Sequence, residues 1–162
     1  MKSEERKTAL QRHRDILIVT IDYILEKIAS EDLPKDGFDA VSGYYIKQKQ
    51  DVEKLFETRK LYNLQQRLIK LTELPIRRGD LTFNEYIKQK TRWTIDIFEP
   101  LRVQINEIIE QNKINSKKQV NDLMIMLNIY QQQSVDQSKI DMLKTLLISY
   151  FDGIKMTESP KL

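Results

Sequence analysis

The chain has 162 residues, of which 40% are hydrophobic and 31% are charged, so it is long enough for one sizeable core and short for two. It contains no cysteine and one histidine, which excludes disulfide bonds, thiolate metal sites, cysteine nucleophiles and histidine metal clusters within one chain. The net charge of +3 is too small to indicate a nucleic-acid or membrane partner by itself. From this length we predict a single domain over residues 1–162. We predict a cytoplasmic location, because the lack of cysteine fits a reducing compartment.

The first element begins at Ser3, a plausible helix cap, and its apolar residues recur at helical spacing. The residues of this apolar face are Leu10, Leu17, Ile21, Ile24 and Ile28. The pattern predicts one helix of about 28 residues, with a short strand over the β-branched run 16–21 as the alternative. Basic residues precede the apolar run, as in a signal peptide or membrane anchor, but Asp22, Glu26 and Lys27 interrupt it, so we predict no membrane partner.

A loop is predicted next, from Leu33 to Asp39, because Pro34 stops a helix and Asp36-Gly37 favours a turn. Asp39 or Ser42 then caps a second helix that runs to about Leu74, which at 1.5 Å per residue is about 50 Å long. The stretch from Pro75 to Leu81 is the tight turn that follows it.

The central segment, 82–113, is predicted to be a helix that starts with a capping box of Thr82 and Glu85. Pro100 lies inside its apolar pattern and lacks a backbone N–H, so we expect a kink there. The alternative is a full break, with Asp96 or Glu99 capping a new helix. For Trp93 and Phe98 we expect a place in the core, with base stacking or ligand binding as the alternative.

A C-terminal helical hairpin completes the predicted fold. Ser116 and Gln119 form a capping box for its first helix, which is apolar nearly all round. Such a helix is either deeply buried or part of an interface, for which the candidate residues are Met124, Ile125 and Ile129. After a polar link over 131–134, the last helix is expected to end at Gly153, and residues 156–162 to form a loose tail.

The strongest functional signal is local charge. Nine basic and three acidic residues lie between Arg59 and Arg92, a local net charge of +6. If the second and central helices pair as a hairpin, this charge gathers at one end and could contact nucleic-acid phosphates. The candidate residues for binding anions or nucleic acid are Arg59, Arg67, Lys70, Arg77, Arg78, Lys88 and Arg92.

Catalysis has few candidate groups in this sequence. There is no Gly-rich phosphate loop, and we predict no catalytic residues, no metal and no cofactor. The alternative is a Mg²⁺ or acid–base site in which Glu107 and Glu110 meet Asp122 or Asp136, although such acids ordinarily lie on a solvated face.

Taken together, the patterns predict an all-α fold, a four- to five-helix up-down bundle of long helices with a C-terminal helical hairpin. The expected function is a non-enzymatic protein-interaction module, either a regulator or a small helical subunit of a larger assembly, whose partner is another protein or a second copy. The alternative is a helical bundle that binds DNA or RNA backbone, and an enzyme is the third reading.

Overall fold

The computed structural model describes the backbone of residues 1–29 and 35–158 and the side chains of residues 1–27 and 40–155. The described backbone is helical and contains no strand, which confirms the all-α prediction. It forms seven α-helices, so the predicted count of four to five is wrong. The helices are α1 (Ser3–Tyr23), α2 (Lys35–Glu57), α3 (Leu61–Arg77), α4 (Phe83–Lys90), α5 (Glu99–Gln111), α6 (Lys117–Gln132) and α7 (Gln137–Glu158).

The chain divides into two compact units. The first comprises residues 1–75 and 80–96, and the second comprises residues 76–79 and 97–162. The prediction of a single domain over residues 1–162 stays a prediction. Among the described residues, no helix combines the length and the apolar character that crossing a membrane requires.

The first unit is built on α1, which contacts both α2 and α4. Leu17 and Ile21 of α1 are fully buried, in line with the predicted apolar face, and Ile16, outside that predicted face, is fully buried as well. The helix continues as a π-helical segment, Ile24–Ala29, so the predicted helix of about 28 residues is confirmed and the strand alternative is wrong. The residue at the cap position of α1 is Lys2 rather than the predicted Ser3. The backbone N–H of Lys2 donates a hydrogen bond to the Glu5 carboxylate at 3.0 Å.

The predicted long second helix is interrupted, and this is the largest correction to the fold. Helix α2 ends at Glu57 and α3 begins at Leu61. Arg59 takes the left-handed conformation (φ 55°), Lys60 N–H donates to the Leu55 carbonyl at 2.9 Å, and Arg59 N–H donates to the Phe56 carbonyl at 3.0 Å. These are the two hydrogen bonds of a Schellman helix end, formed here without glycine.

The boundaries on either side of this pair of helices also differ from the prediction. Helix α2 already begins at Lys35, inside the stretch predicted as a loop, while Leu33 and Pro34 lie outside the described residues. Neither Asp39 nor Ser42 therefore caps it. Helix α3 continues through Pro75 to Arg77, so the turn predicted to begin at Pro75 comes only at Arg78 and Gly79.

Helix α4 begins where predicted, but its start is held differently. Thr82 makes no side-chain cap, so the predicted capping box is wrong. Asp80 instead accepts hydrogen bonds from the backbone N–H and hydroxyl of Thr82, at 3.0 and 2.7 Å. The buried Tyr23 hydroxyl donates to the other Asp80 oxygen and lies 2.8 Å from the Thr82 hydroxyl. Asp80, which also accepts a hydrogen bond from Tyr23 of α1, therefore takes the place of the predicted capping box.

The central segment is broken rather than kinked. Helix α4 ends at Lys90, and the Thr91 hydroxyl accepts a hydrogen bond from the Trp93 backbone N–H at 3.0 Å, which competes with helix continuation. The Trp93 indole then donates to Asp15 of α1 at 2.9 Å. Pro100 lies in the first turn of α5, where its missing N–H costs nothing. Neither residue named for a break caps α5, because Glu99 is its first residue and Asp96 lies further upstream.

The second unit contains α5, α6 and α7, with α6 contacting both others. Ser116 caps α6 as predicted, because its hydroxyl accepts from Gln119 N–H at 3.2 Å, while Gln119 reaches back to Asn115 N–H. Helix α7 does not end at Gly153 but continues to Glu158, which shortens the predicted tail. Residues 159–162 of that tail lie outside the described residues.

The side chain of Tyr86 gives the first unit a predicted response to alkaline pH. Burial, together with the hydrogen bond that its hydroxyl donates to Glu26 at 3.0 Å, raises the pKa of Tyr86 to about 12. A raised pKa means that the protonated phenol stabilises the fold below about pH 10, and that this contribution is lost as pH rises towards 12. We expect Tyr86→Phe to reduce the loss of stability between about pH 8 and pH 11, measured by urea unfolding at each pH.

The control for this prediction is Tyr62→Phe, because the Tyr62 side chain is largely exposed. It should leave the alkaline loss of stability as it is in the parent chain. An equal reduction by both variants would refute the special role of Tyr86.

Candidate functional site

The candidate site is the groove between α2 and α3, which we call the basic groove. It consists of two adjoining hollows of about 300 and 580 Å³ that share Leu55, Asn63 and Arg67. The α2 wall places Tyr44, Gln48, Asp51 and Leu55 at helical intervals of four, three and four residues. The groove exists because the chain reverses at residues 58–60.

The α3 wall carries a matching stripe. Asn63, Arg67 and Lys70 follow one another at intervals of four and three residues, so they share one face of α3. Arg67 reaches across the groove to α2, where its Nη1 donates to Gln48 Oε1 and lies 3.6 Å from Asp51 Oδ2. Arg67 therefore joins the two walls.

The charge of the basic groove is strongly one-sided. Four cationic residues line it, namely Lys54, Lys60, Arg67 and Lys70, against the single carboxylate of Asp51. The three lysine side chains are exposed and have no ion-pair partner among the described residues, whereas Asp51 lies beside Arg67. The groove therefore has an excess of positive charge that is available to an incoming anion.

Two tyrosines and two leucines give the basic groove an apolar and aromatic component. Tyr44 is 53% exposed and Tyr62 is 70% exposed, and both line the smaller hollow together with Leu55 and Leu71. The amides of Gln48, Asn63 and Gln66 add hydrogen-bonding groups. A ligand that is anionic on one side and apolar on the other would match this lining.

Of the seven predicted anion-binding residues, the structure brings only Arg67 and Lys70 to the basic groove. The two long helices whose hairpin would have gathered all seven are both broken. Arg59 lines a separate hollow beside the first turns of α1, and its carbonyl accepts from Arg6 Nη2 at 3.3 Å. Lys88 is exposed on α4.

The remaining predicted residues lie elsewhere in the chain. The Arg92 guanidinium lies 4.5 Å from the centre of the Trp93 ring, so a cation already covers that ring. Phe98 is buried in the second unit, as expected for a core residue. Arg77 and Arg78 are exposed and also belong to the second unit.

The three candidate interface residues on α6 do not share one exposed face. Met124 is 54% exposed, Ile125 is half-buried and Ile129 is buried in the core. A partner that approaches α6 from solvent would therefore meet Met124 but not Ile129.

The acidic metal site named as an alternative in the sequence analysis does not form among the described side chains. Where side chains are described, no three histidine or acidic residues come together as ligands of one metal ion. Asp122 instead lies 3.0 Å from the Lys118 ammonium, one turn away on α6.

Sequence reasoning missed Tyr44, Gln48, Lys54, Lys60 and Tyr62 as groove residues. The signal that could have found them is the similar spacing of polar residues on α2 and α3. No family model, no curated protein and no solved structure matches the chain, so the geometry of the basic groove carries the functional argument.

Proposed function

We propose that the chain is a non-enzymatic protein-interaction module that holds an acidic, amphipathic helix of a protein partner in the basic groove. The observation that carries the proposal is the convergence of four cations and one acid around two leucines and two tyrosines between two helices. Two helices that expose leucine and tyrosine in a shared groove accept a third helix through its apolar face. The cations along the rim would then select a helix whose flanks are acidic.

A direct test uses a fluorescein-labelled model peptide of about 18 residues, long enough to form a helix, with a leucine face and glutamate flanks. We expect fluorescence anisotropy to show saturable binding to the parent chain. Reversing Lys54, Lys60 and Lys70 to glutamate should weaken this binding about 10- to 100-fold, because three attractive contacts become repulsive.

The control reverses three exposed lysines outside the basic groove, Lys88, Lys117 and Lys139, also to glutamate. Both triple variants carry the same net charge, so attraction to the protein as a whole is matched. Binding that falls equally in both variants, or in neither, would refute the groove as the docking site. A peptide with lysine in place of glutamate should not bind.

A second candidate function, binding of a single-stranded nucleic-acid backbone, is favoured by one feature of the same groove. Tyr44 and Tyr62 are exposed and line the same hollow as Arg67 and Lys70. Proteins bind single strands with such a combination, because bases stack on aromatic rings and phosphates pair with cations. Under this alternative, a labelled oligothymidine binds with strong salt dependence and the glutamate-flanked peptide does not bind. The groove variant should then lose oligothymidine binding and the control variant should keep it.

A further inference from the structure

Helix α7 presents a second surface, on a different side from its core residues. Ile140, Leu143 and Leu146 of α7 are buried. A different row of α7 side chains follows steps of three, four, three and four residues and is exposed throughout. We call this row the α7 seam, and its members are Asp141, Lys144, Ile148, Phe151 and Lys155.

The centre of the α7 seam is apolar. Ile148 is 60% exposed and Phe151 is 46% exposed, although three other large apolar side chains of α7 are buried. Steps of three and four residues keep a row on one side of a helix, which is the spacing by which two helices pack lengthwise. The α7 seam therefore has the form of a helix–helix contact whose second helix is missing.

The charges on either side of this centre are arranged with opposite signs. Asp141 lies seven residues before Ile148 and Lys155 lies seven residues after it. Lys144 lies four residues before Ile148 and Asp152, exposed beside the α7 seam, lies four residues after it. Each acidic residue is thus matched by a basic residue at the same distance on the other side of Ile148.

This arrangement is self-complementary in one orientation only. If two copies of α7 pack antiparallel with Ile148 opposite its own copy, Lys144 faces Asp152 of the second copy and Asp141 faces Lys155 of the second copy. Two-fold symmetry repeats each pair. A parallel pairing in the same register would place like charges opposite each other, which is unfavourable.

We propose that two copies of this chain associate through the α7 seam as an antiparallel, two-fold symmetric pair of α7 helices. Phe151 lies one helical turn from Ile148, so its ring packs beside Ile148 of the second copy and excludes water from the centre. The charge pairs fix the direction and register of the two helices. The α7 seam and the basic groove share no residue.

The first test is the mass of the full chain by sedimentation velocity over a wide range of concentrations. We expect a monomer–dimer equilibrium, and Ile148→Glu should raise the dissociation constant about 100-fold, because it places two carboxylates on the symmetry axis. Far-UV circular dichroism should be unchanged, since residue 148 is exposed. A parent chain that stays monomeric at millimolar concentration would overturn the proposal.

The register is tested by exchanging charges. Asp152→Lys should weaken the dimer about tenfold, because it faces Lys144 of the second copy, and adding Lys144→Asp should recover most of that loss. A double variant no tighter than Asp152→Lys would overturn the antiparallel register.

A cross-linking test takes advantage of the absence of cysteine from the chain. Ile148→Cys lies on the proposed axis, so mild oxidation should join two copies by a disulfide. The control is Met124→Cys, on the exposed side of α6. Cross-linking through position 124 but not 148 would overturn the proposal and place the interface on α6.

Discussion

Replacing Phe83 with alanine is expected to lower the free energy of unfolding of the first unit by about 3–5 kcal/mol. Phe83 is the first residue of α4 and its side chain has no exposed surface. Its ring meets the Tyr23 ring edge to face, with centroids 5.2 Å apart and an interplanar angle of 87°. The substitution therefore leaves a cavity and removes an aromatic pair at the point where α4 joins α1.

Urea unfolding measures this effect, followed by the fluorescence of Trp93, the only tryptophan, which lies in the same unit. The matched control is Tyr62→Ala, which also removes an aromatic ring but from an exposed site, and it should change stability by less than about 1 kcal/mol. A cost for Phe83→Ala no larger than that of the control would show that the α1–α4 contact contributes little to stability.

The elements that the sequence predicts correctly are those whose signals lie within a few residues of each other. The apolar spacing of α1 is confirmed by the structure because one face of that helix is buried from Leu10 onwards. Ser116 and Gln119 hold the start of α6 because the Ser116 hydroxyl accepts a hydrogen bond from the Gln119 N–H, and the Gln119 side-chain oxygen accepts one from the Asn115 N–H. Both signals can be read from residues that lie close together in the sequence.

The basic groove could not be predicted, because it depends on a chain reversal without the usual turn residues. Thr58, Arg59 and Lys60 include no glycine or proline, and Arg59 takes a left-handed conformation that costs about 1 kcal/mol. In one straight helix, Gln48 and Arg67 would lie about 28 Å apart, whereas in the structure their side chains are hydrogen-bonded. Burial of Leu61 and Leu64 after the turn offsets the local cost.

The break after α4 depends in the same way on tertiary contacts. The helical pattern from 82 to 113 is continuous in the sequence, apart from Pro100. In the structure, α4 ends ten residues before that proline. Just beyond this end, the Trp93 indole donates a hydrogen bond to Asp15 of α1, and the Thr94 carbonyl accepts one from Arg12 of α1. Local propensity could identify a weak point at the proline but not the contacts that end α4 earlier.

Replacing Gly79 with valine is expected to destabilise the second unit by about 2–4 kcal/mol. Gly79 has φ +60°, the conformation at the end of α3 that an L residue adopts only with strain. A Cβ atom there would lie 3.0 Å from Asn128 Nδ2 and 3.5 Å from Ile129 Cγ1 of α6. Backbone strain and crowding against α6 therefore act together, and a β-branched residue makes both worse.

Thermal unfolding by far-UV circular dichroism, with hydrogen exchange of the α6 amides to locate the effect, measures this loss. Gly153→Val is the matched control, because Gly153 lies in α7 of the same unit and a Cβ atom there meets nothing within 4 Å. Valine also has a better helix propensity than glycine, so the control should gain a few tenths of a kcal/mol. If both variants lost equal stability, the close approach of Gly79 to α6 would not be the cause. A loss confined to Gly79→Val, with faster exchange in α6, would show that this glycine is required where the chain passes α6.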